Sequence, residues 1–160
     1  VAPRTNIAVK QINMKLNNAA LNAAKAYLEI MAQEQAKRIL QVTNQGKDLT
    51  GGNLKEYSPM YKAAIKKGLV RSSGGVRKAS TKVNLRVGGD LMNSVKTRKS
   101  KDGAEIFFAG SHDTMSNAAL AAKLLEKRPN WFGFSKEDIE RITRKVQQYL
   151  KKNAKTFIDT

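Results

Sequence analysis

The sequence predicts a small α+β domain: helical periodicity dominates both ends of the chain, while the middle alternates like strands around a tight-turn signal. At 160 residues, with no Pro/Gly/Ser-rich linker and no internal repeat, it reads as one domain over residues 1–160. Residues 1–18 are set apart as a possible N-terminal arm and residues 71–81 as a flexible basic loop.

Between Ala19 and Leu40 helix formers prevail. Leu21, Ala24, Leu28 and Met31, then Ile39 and Val42, fall three or four apart, interrupted by Gln35. This is one long helix, or two separated by a kink. Upstream, Ile7, Val9, Ile12, Met14 and Leu16 are nearer to alternation, and Asn17-Asn18 is a weak point after them. Gly46 and Gly51-Gly52 end the long element. A short helix follows, with Ser58 as N-cap, Pro59 at its first position and Gly68 at its stop. Residues 71–81 (RSSGGVRKAST) are polar, basic and glycine-containing, the composition of a loop.

Strands come next. Val83, Leu85 and Val87 alternate onto one face before Gly88-Gly89. Asp90 to Ser94 reads as a turn of helix. Val95 to Ser100 and Ala104 to Ala109 flank Lys101-Asp102-Gly103, a hairpin signal that sends Ile106 and Phe108 to the core. Ala118 to Lys127 then forms a helix with Leu120, Leu124 and Leu125 on one side, stopped by Arg128-Pro129. Trp131, Phe132 and Phe134 make an aromatic connector expected to staple the next helix to the core. Ser135 to Asp138 is a capping box opening a last helix with Ile139, Ile142, Val146, Tyr149 and Leu150 as its stripe.

Charge and composition narrow the function. Thirty Lys and Arg against thirteen Asp and Glu give a net charge of +17, which favours polyanionic or acidic partners. Residues 62–101 hold twelve cations against Asp90 alone, supplying eleven of the seventeen excess charges. Cysteine is absent, excluding disulfides and thiolate chemistry. No apolar run approaches the roughly 20 residues that span a bilayer, and residues 1–10 lack the apolar core of a secretory signal. A protein of a reducing cytoplasm, without membrane partners, is expected.

Catalytic signatures are missing. His112, the single histidine, adjoins Asp113, but adjacent side chains do not make a triad, and a solvated loop residue is the simpler account. Glu137, Asp138 and Glu140 suit the positive end of a helix dipole without any metal. The glycine pairs mark turns, and no phosphate-cradling loop occurs. The expectation is no enzyme, no cofactor, no metal and no small-molecule substrate.

The basic segment admits two accounts. Lys62, Lys66, Lys67, Arg71, Arg77, Lys78 and Lys82, extended across the sheet by Arg86, Arg98, Lys99 and Lys101, would meet DNA phosphates without reading sequence. Alternatively they form a solvated face or match an acidic subunit. The absence of interleaved aromatics and of a recognition helix favours the second account.

Three stretches in order complete the picture. They are Gly51-Gly52 with Tyr57-Ser58-Pro59, Tyr61 and Lys66-Lys67-Gly68; then Gly89-Asp90-Leu91-Met92-Asn93-Ser94 before the hairpin; then Arg128-Pro129, Phe132-Gly133-Phe134-Ser135 and Asp138-Ile139. Over residues 46–150 they resemble the virion morphogenesis, or tail-completion, proteins of tailed bacteriophages. The motif positions are Tyr57, Ser58, Pro59, Gly89, Leu91, Ser94, Arg128, Pro129, Gly133, Ser135 and Asp138. The segment after the hairpin is shorter than is usual in that family, and the first 45 residues match only in being helical. The resemblance implies a long N-terminal helix and a C-terminal helix packed on a small curved antiparallel sheet with a β-hairpin. It also implies a structural subunit without catalytic residues, forming a ring at the head–tail junction with other neck, tail or portal-associated proteins. Non-specific contact with packaged DNA is compatible with that place. The alternative is a small basic DNA-binding protein of packaging or nucleoid type. In the isolated subunit residues 71–80 are expected to be mobile, so limited proteolysis should cut there first; a free protein that resists there while cleaved elsewhere contradicts this.

Overall fold

A hairpin organises the sheet. β4 (Val95–Ser100) turns through Lys101-Asp102 into β5 (Gly103–Phe108), antiparallel, with Val95 opposite Phe108 and Ser100 opposite Gly103. In this computed structural model, residues 5–12, 15–67, 71–72, 75–76, 90–112 and 115–153 are described. On the other side of β5 lies β1 (Thr5–Ala8), also antiparallel, giving the order β1-β5-β4. Alternation then does its ordinary work. Ala104, Ile106 and Phe108 are buried on one face with Ile7, whereas Glu105 and Phe107 lie on the other and keep partial exposure. The expectation for Ile106 and Phe108 holds.

Gly103 is required by packing rather than by the turn. A Cβ there would fall inside van der Waals contact of the Ile7 carbonyl oxygen, 3.0 Å from its carbonyl carbon and 3.1 Å from the Ala8 Cα. The first strand therefore closes onto β5 at the one position without a side chain. It continues into a single 3-10 turn (Val9–Ile12), where the Val9 amide donates to the Asp102 carbonyl at 2.8 Å. Residues 5–12 are thus docked on the hairpin and do not form the detached arm suggested by their composition. Burial of Ile7, 1% exposed, is the reason.

Across the buried face runs α1 (Asn18–Asn44), 27 residues and about 40 Å long. Asn17, which looked like a weak point, is its N-cap: its Oδ1 accepts from the Ala20 amide at 2.8 Å. The helix is continuous. Ala20, Ala24, Leu28, Met31, Ala32, Gln35, Ile39 and Thr43 form the buried face. Leu28 and Ile39 are fully covered, each contributing about 1.5–3 kcal/mol by leaving water. The helix stops at a Schellman turn: the Gly46 amide donates to the Thr43 carbonyl and the Lys47 amide to the Val42 carbonyl, at 2.9 Å each. Gly46 takes φ +72°, where a side chain is strained.

The remaining elements frame this centre. α2 (Pro59–Lys66) begins at Ser58, whose Oγ accepts from the Tyr61 amide, and buries only Ile65. α3 (Asp90–Asn93) leads into β4, and α4 (Asn117–Lys127) starts at the Ser116 cap. In α4 the fully buried positions are Asn117 and Ala121, while Leu120, Leu124 and Leu125 are half-buried against the core. α5 (Lys136–Lys152) lies antiparallel to α1: Tyr27 stacks on Tyr149 at 4.6 Å, and Gln35 meets Asp138. Ile142, Val146 and Leu150 are its buried stripe. The architecture is α+β, as expected.

Two short ladders were not expected. β2 (Arg71–Ser72) pairs with β3 (Gly75–Val76) inside the stretch read as a loop, and β6 (Ser111–His112) pairs with β7 (Met115–Ser116). Runs of two residues are too short for any periodicity to announce them. Gly68, the strand expected at residues 82–87 and the Gly88-Gly89 break lie outside the described residues.

Gly103→Val should detach β1. We expect a loss of stability of about 1–3 kcal/mol in thermal melts, with faster hydrogen exchange at the amides of residues 5–8 than in wild type.

Candidate functional site

One polar assembly holds the helical layer together. Gln35, the interruption in the α1 stripe, is fully buried. Its Nε2 donates to the Gly133 carbonyl at 2.8 Å and to Asp138 Oδ2 at 2.9 Å, while its Oε1 accepts from Arg141 Nη2 at 3.2 Å. Asp138 is fully buried too. Oδ2 also accepts from the Ser135 amide at 3.0 Å, and Oδ1 accepts from Arg38 Nε at 3.0 Å and Arg141 Nη1 at 2.9 Å. The Asp138 amide returns a hydrogen bond to Ser135 Oγ, which completes the capping box the sequence announced. Burial alone would raise the Asp138 pKa. The hydrogen bonds from Gln35, Ser135 and Arg141 outweigh it and hold the carboxyl below its ordinary range.

A second clamp joins distant segments. Arg128 is 7% exposed, with Nε donating to the Lys55 carbonyl at 3.1 Å and Nη2 to the Glu56 carbonyl at 3.5 Å. Its guanidinium lies 5.6 Å from the Tyr57 ring centroid, and Tyr57 meets Tyr61 edge-on at 4.9 Å. Burial draws the Arg128 pKa down, and the charge of Tyr57 works against that. The aromatic connector acts as the expected staple: Trp131 and Phe132 are buried, and Phe108 lies 5.7 Å from the first ring and 4.7 Å from the second.

The motif residues are thereby accounted for one by one. Tyr57 sits under Arg128; Ser58 and Pro59 start α2. Leu91 is buried, and Ser94 Oγ donates to the Leu91 carbonyl at 2.6 Å, closing the turn before β4. Pro129 is exposed beside the clamp. Gly133 takes φ +122°, a conformation that favours glycine, and offers its carbonyl to Gln35. Ser135 and Asp138 are the box. Gly89 lies outside the described residues. Caps, turns and clamps thus explain these positions structurally.

Among the described residues the cationic candidates differ in their surroundings. Lys62 is paired with Glu56 at 2.7 Å, which lowers the Glu56 pKa through its hydrogen bond and charge. Lys66 and Lys67 are exposed at the end of α2. The backbone of Arg71 is in β2, and Arg77, Lys78, Lys82 and Arg86 lie outside the described residues. Across the sheet the expected extension splits. Arg98 pairs with Glu105 on the face away from α1, 4.3 Å over the Phe107 ring. Lys99 points to the other face, 3.7 Å from Glu29 of α1. Strand alternation separates neighbours that a linear count placed together. Lys101 is exposed in the turn.

His112 lies in the β6–β7 ladder, and Asp113 is outside the described residues. Among the described residues, no group of three or more His, Asp or Glu is placed to hold a metal ion, and no helix is long and apolar enough to cross a membrane. No family model, curated protein or solved structure matches the chain. The Gln35–Asp138 assembly is what sequence reasoning missed. A polar residue breaking an apolar stripe was its only signal.

Asp138→Asn should cost about 3 kcal/mol at neutral pH, the low end for a broken buried pair because both arginines keep about a third of their exposure. With a depressed folded pKa, the wild-type contribution is complete above the unfolded value of about 4 and is lost as pH falls toward the folded one. Denaturant titrations from pH 7 to 2 should therefore show a shallower acid limb in the variant.

Proposed function

We propose that this chain is a non-enzymatic structural subunit of a tailed bacteriophage, a neck or tail-completion protein that assembles as a ring with copies of itself and with connector or tail proteins. The observation that carries the proposal is the convergence of the three motif stretches in one part of the fold. Arg128 of the third grips the backbone and ring of the first. The Ser94 carbonyl of the second accepts the Ala109 amide at 2.9 Å beside Phe108, whose ring meets Phe132 of the third. A resemblance spread along the sequence thus corresponds to one connected scaffold.

Assembly gives such a scaffold its role. A ring subunit presents two different surfaces to its neighbours, and closure follows from a fixed rotation between copies. Met60 and Tyr61 on α2, 83% and 36% exposed, are apolar groups available for such a contact beside Lys66 and Lys67. The proposal places the protein in the virion, with the host cytoplasm as the site of assembly.

A second reading, a basic DNA-binding protein of packaging or nucleoid type, is favoured by the net charge of +17. Composition of purified particles separates the two. We expect mass spectrometry of particles of the encoding phage to detect the chain, imaging to place it at the head–tail junction, and its deletion to leave filled heads unjoined to tails. Infectious particles that lack the chain overturn the proposal.

A further inference from the structure

We propose that the outer face of the second half of α5 is a docking surface for the phosphate backbone of duplex nucleic acid. From Arg141 to Lys152 the helix carries five cations and no carboxylate. Its apolar stripe, Ile142, Val146 and Leu150, is spent on the core. Arg144, Lys145, Gln148, Lys151 and Lys152 are left exposed along about 12 Å of helix.

Ordinary structural roles account for only part of this face. Arg141 is committed to Asp138 and Gln35. Lys151 and Lys152 complement the helix dipole, but that effect fades beyond the last turn and leaves Arg144 unexplained. Lys145 lies 3.4 Å from Glu34, both about half exposed, so the pair is a weak surface one and the ammonium remains available.

A straight row of one sign, with an amide donor among the cations, suits a rod that carries a negative charge about every 1.7 Å. Among Arg144, Lys145, Lys151 and Lys152 only Lys145 meets a carboxylate of the described residues, Glu34, so the row as a whole keeps its single sign. In the segment richest in charge Lys62, Arg98 and Lys99 are paired with carboxylates, while the exposed Lys66, Lys67, Lys96 and Lys101 are spread over α2, β4 and the hairpin turn. What sets the α5 cations apart is that Arg144, Lys145, Lys151 and Lys152 are exposed together on a single helix.

The inference concerns the isolated chain, so it stands or falls separately from the place of the protein in a particle. The test is fluorescence anisotropy of the full chain with a labelled 20-base-pair duplex between 50 and 200 mM salt. The probe variant is Arg144→Gln/Lys151→Gln/Lys152→Gln. The control, Lys55→Gln/Lys123→Gln/Lys127→Gln, removes equal charge from α4 and the loop before α2. Removing three phosphate contacts should reduce the slope of log affinity against log salt by about 2.7, and weaken binding at 50 mM salt at least ten-fold more than the control does. The melting temperature followed by circular dichroism should fall only slightly, since all three probe side chains are exposed and only the dipole contribution of Lys151 and Lys152 is lost. Arg144→Glu alone gives a second variant and should also weaken binding. Equal losses in probe and control, no measurable duplex binding by wild type, or equally tight binding to phosphatidylserine vesicles at the same salt overturns the proposal.

Discussion

Everything in the helical layer depends on one carboxylate. Asp138 accepts from four donors, Gln35, Ser135, Arg38 and Arg141, which belong to two helices and the connector between α4 and α5. A buried ion of this kind is tolerable only when all its lone pairs are used. Satisfying them fixes where α5 begins and how far along α1 it lies. Arg38 extends the same network by donating to the Leu49 carbonyl at 3.3 Å, so the loop after α1 is registered by it as well. Apolar packing supplies the bulk of the stability, but it is tolerant of small slides. The polar assembly is not.

How much of this was legible in the sequence follows from the range of the signals. Local rules carried the caps at Ser58 and Ser135, the hairpin around Lys101-Asp102 and the helix stop at Gly46, because each is decided within a few residues. Gln35 was visible as a fault in a stripe, yet its partners lie 98 to 106 positions away. No periodicity encodes such a pairing. Thr5–Ala8 joined the sheet for the same non-local reason: the glycine that admits it is at 103. A one-dimensional density of cations does not say which side of a strand or helix each residue occupies. Arg98 and Lys99 are neighbours in the chain and face opposite ways.

The two clamps divide the labour between them. Arg128 ties the segment before α2 to the end of α4 through backbone carbonyls, so it is indifferent to most side chains in that loop. The Phe108, Trp131 and Phe132 rings tie the connector to the sheet. The outer side of α2 presents exposed Met60, Lys66 and Lys67, and that of α5 exposed Arg144, Lys151 and Lys152. Surfaces without internal duties are where a protein meets its partners.

The docking of β1 onto β5 has a consequence for synthesis. During translation β1 leaves the ribosome while β5, its partner in the sheet, is still about a hundred residues away. At roughly 5–20 residues per second it waits on the order of 5–20 s before that neighbour is made. α1 meanwhile closes its own hydrogen bonds within microseconds, but its apolar side stays wet until the hairpin arrives. Residues 5–8 are therefore made well before they can be seated, and their docking waits on a strand from the second half of the sequence.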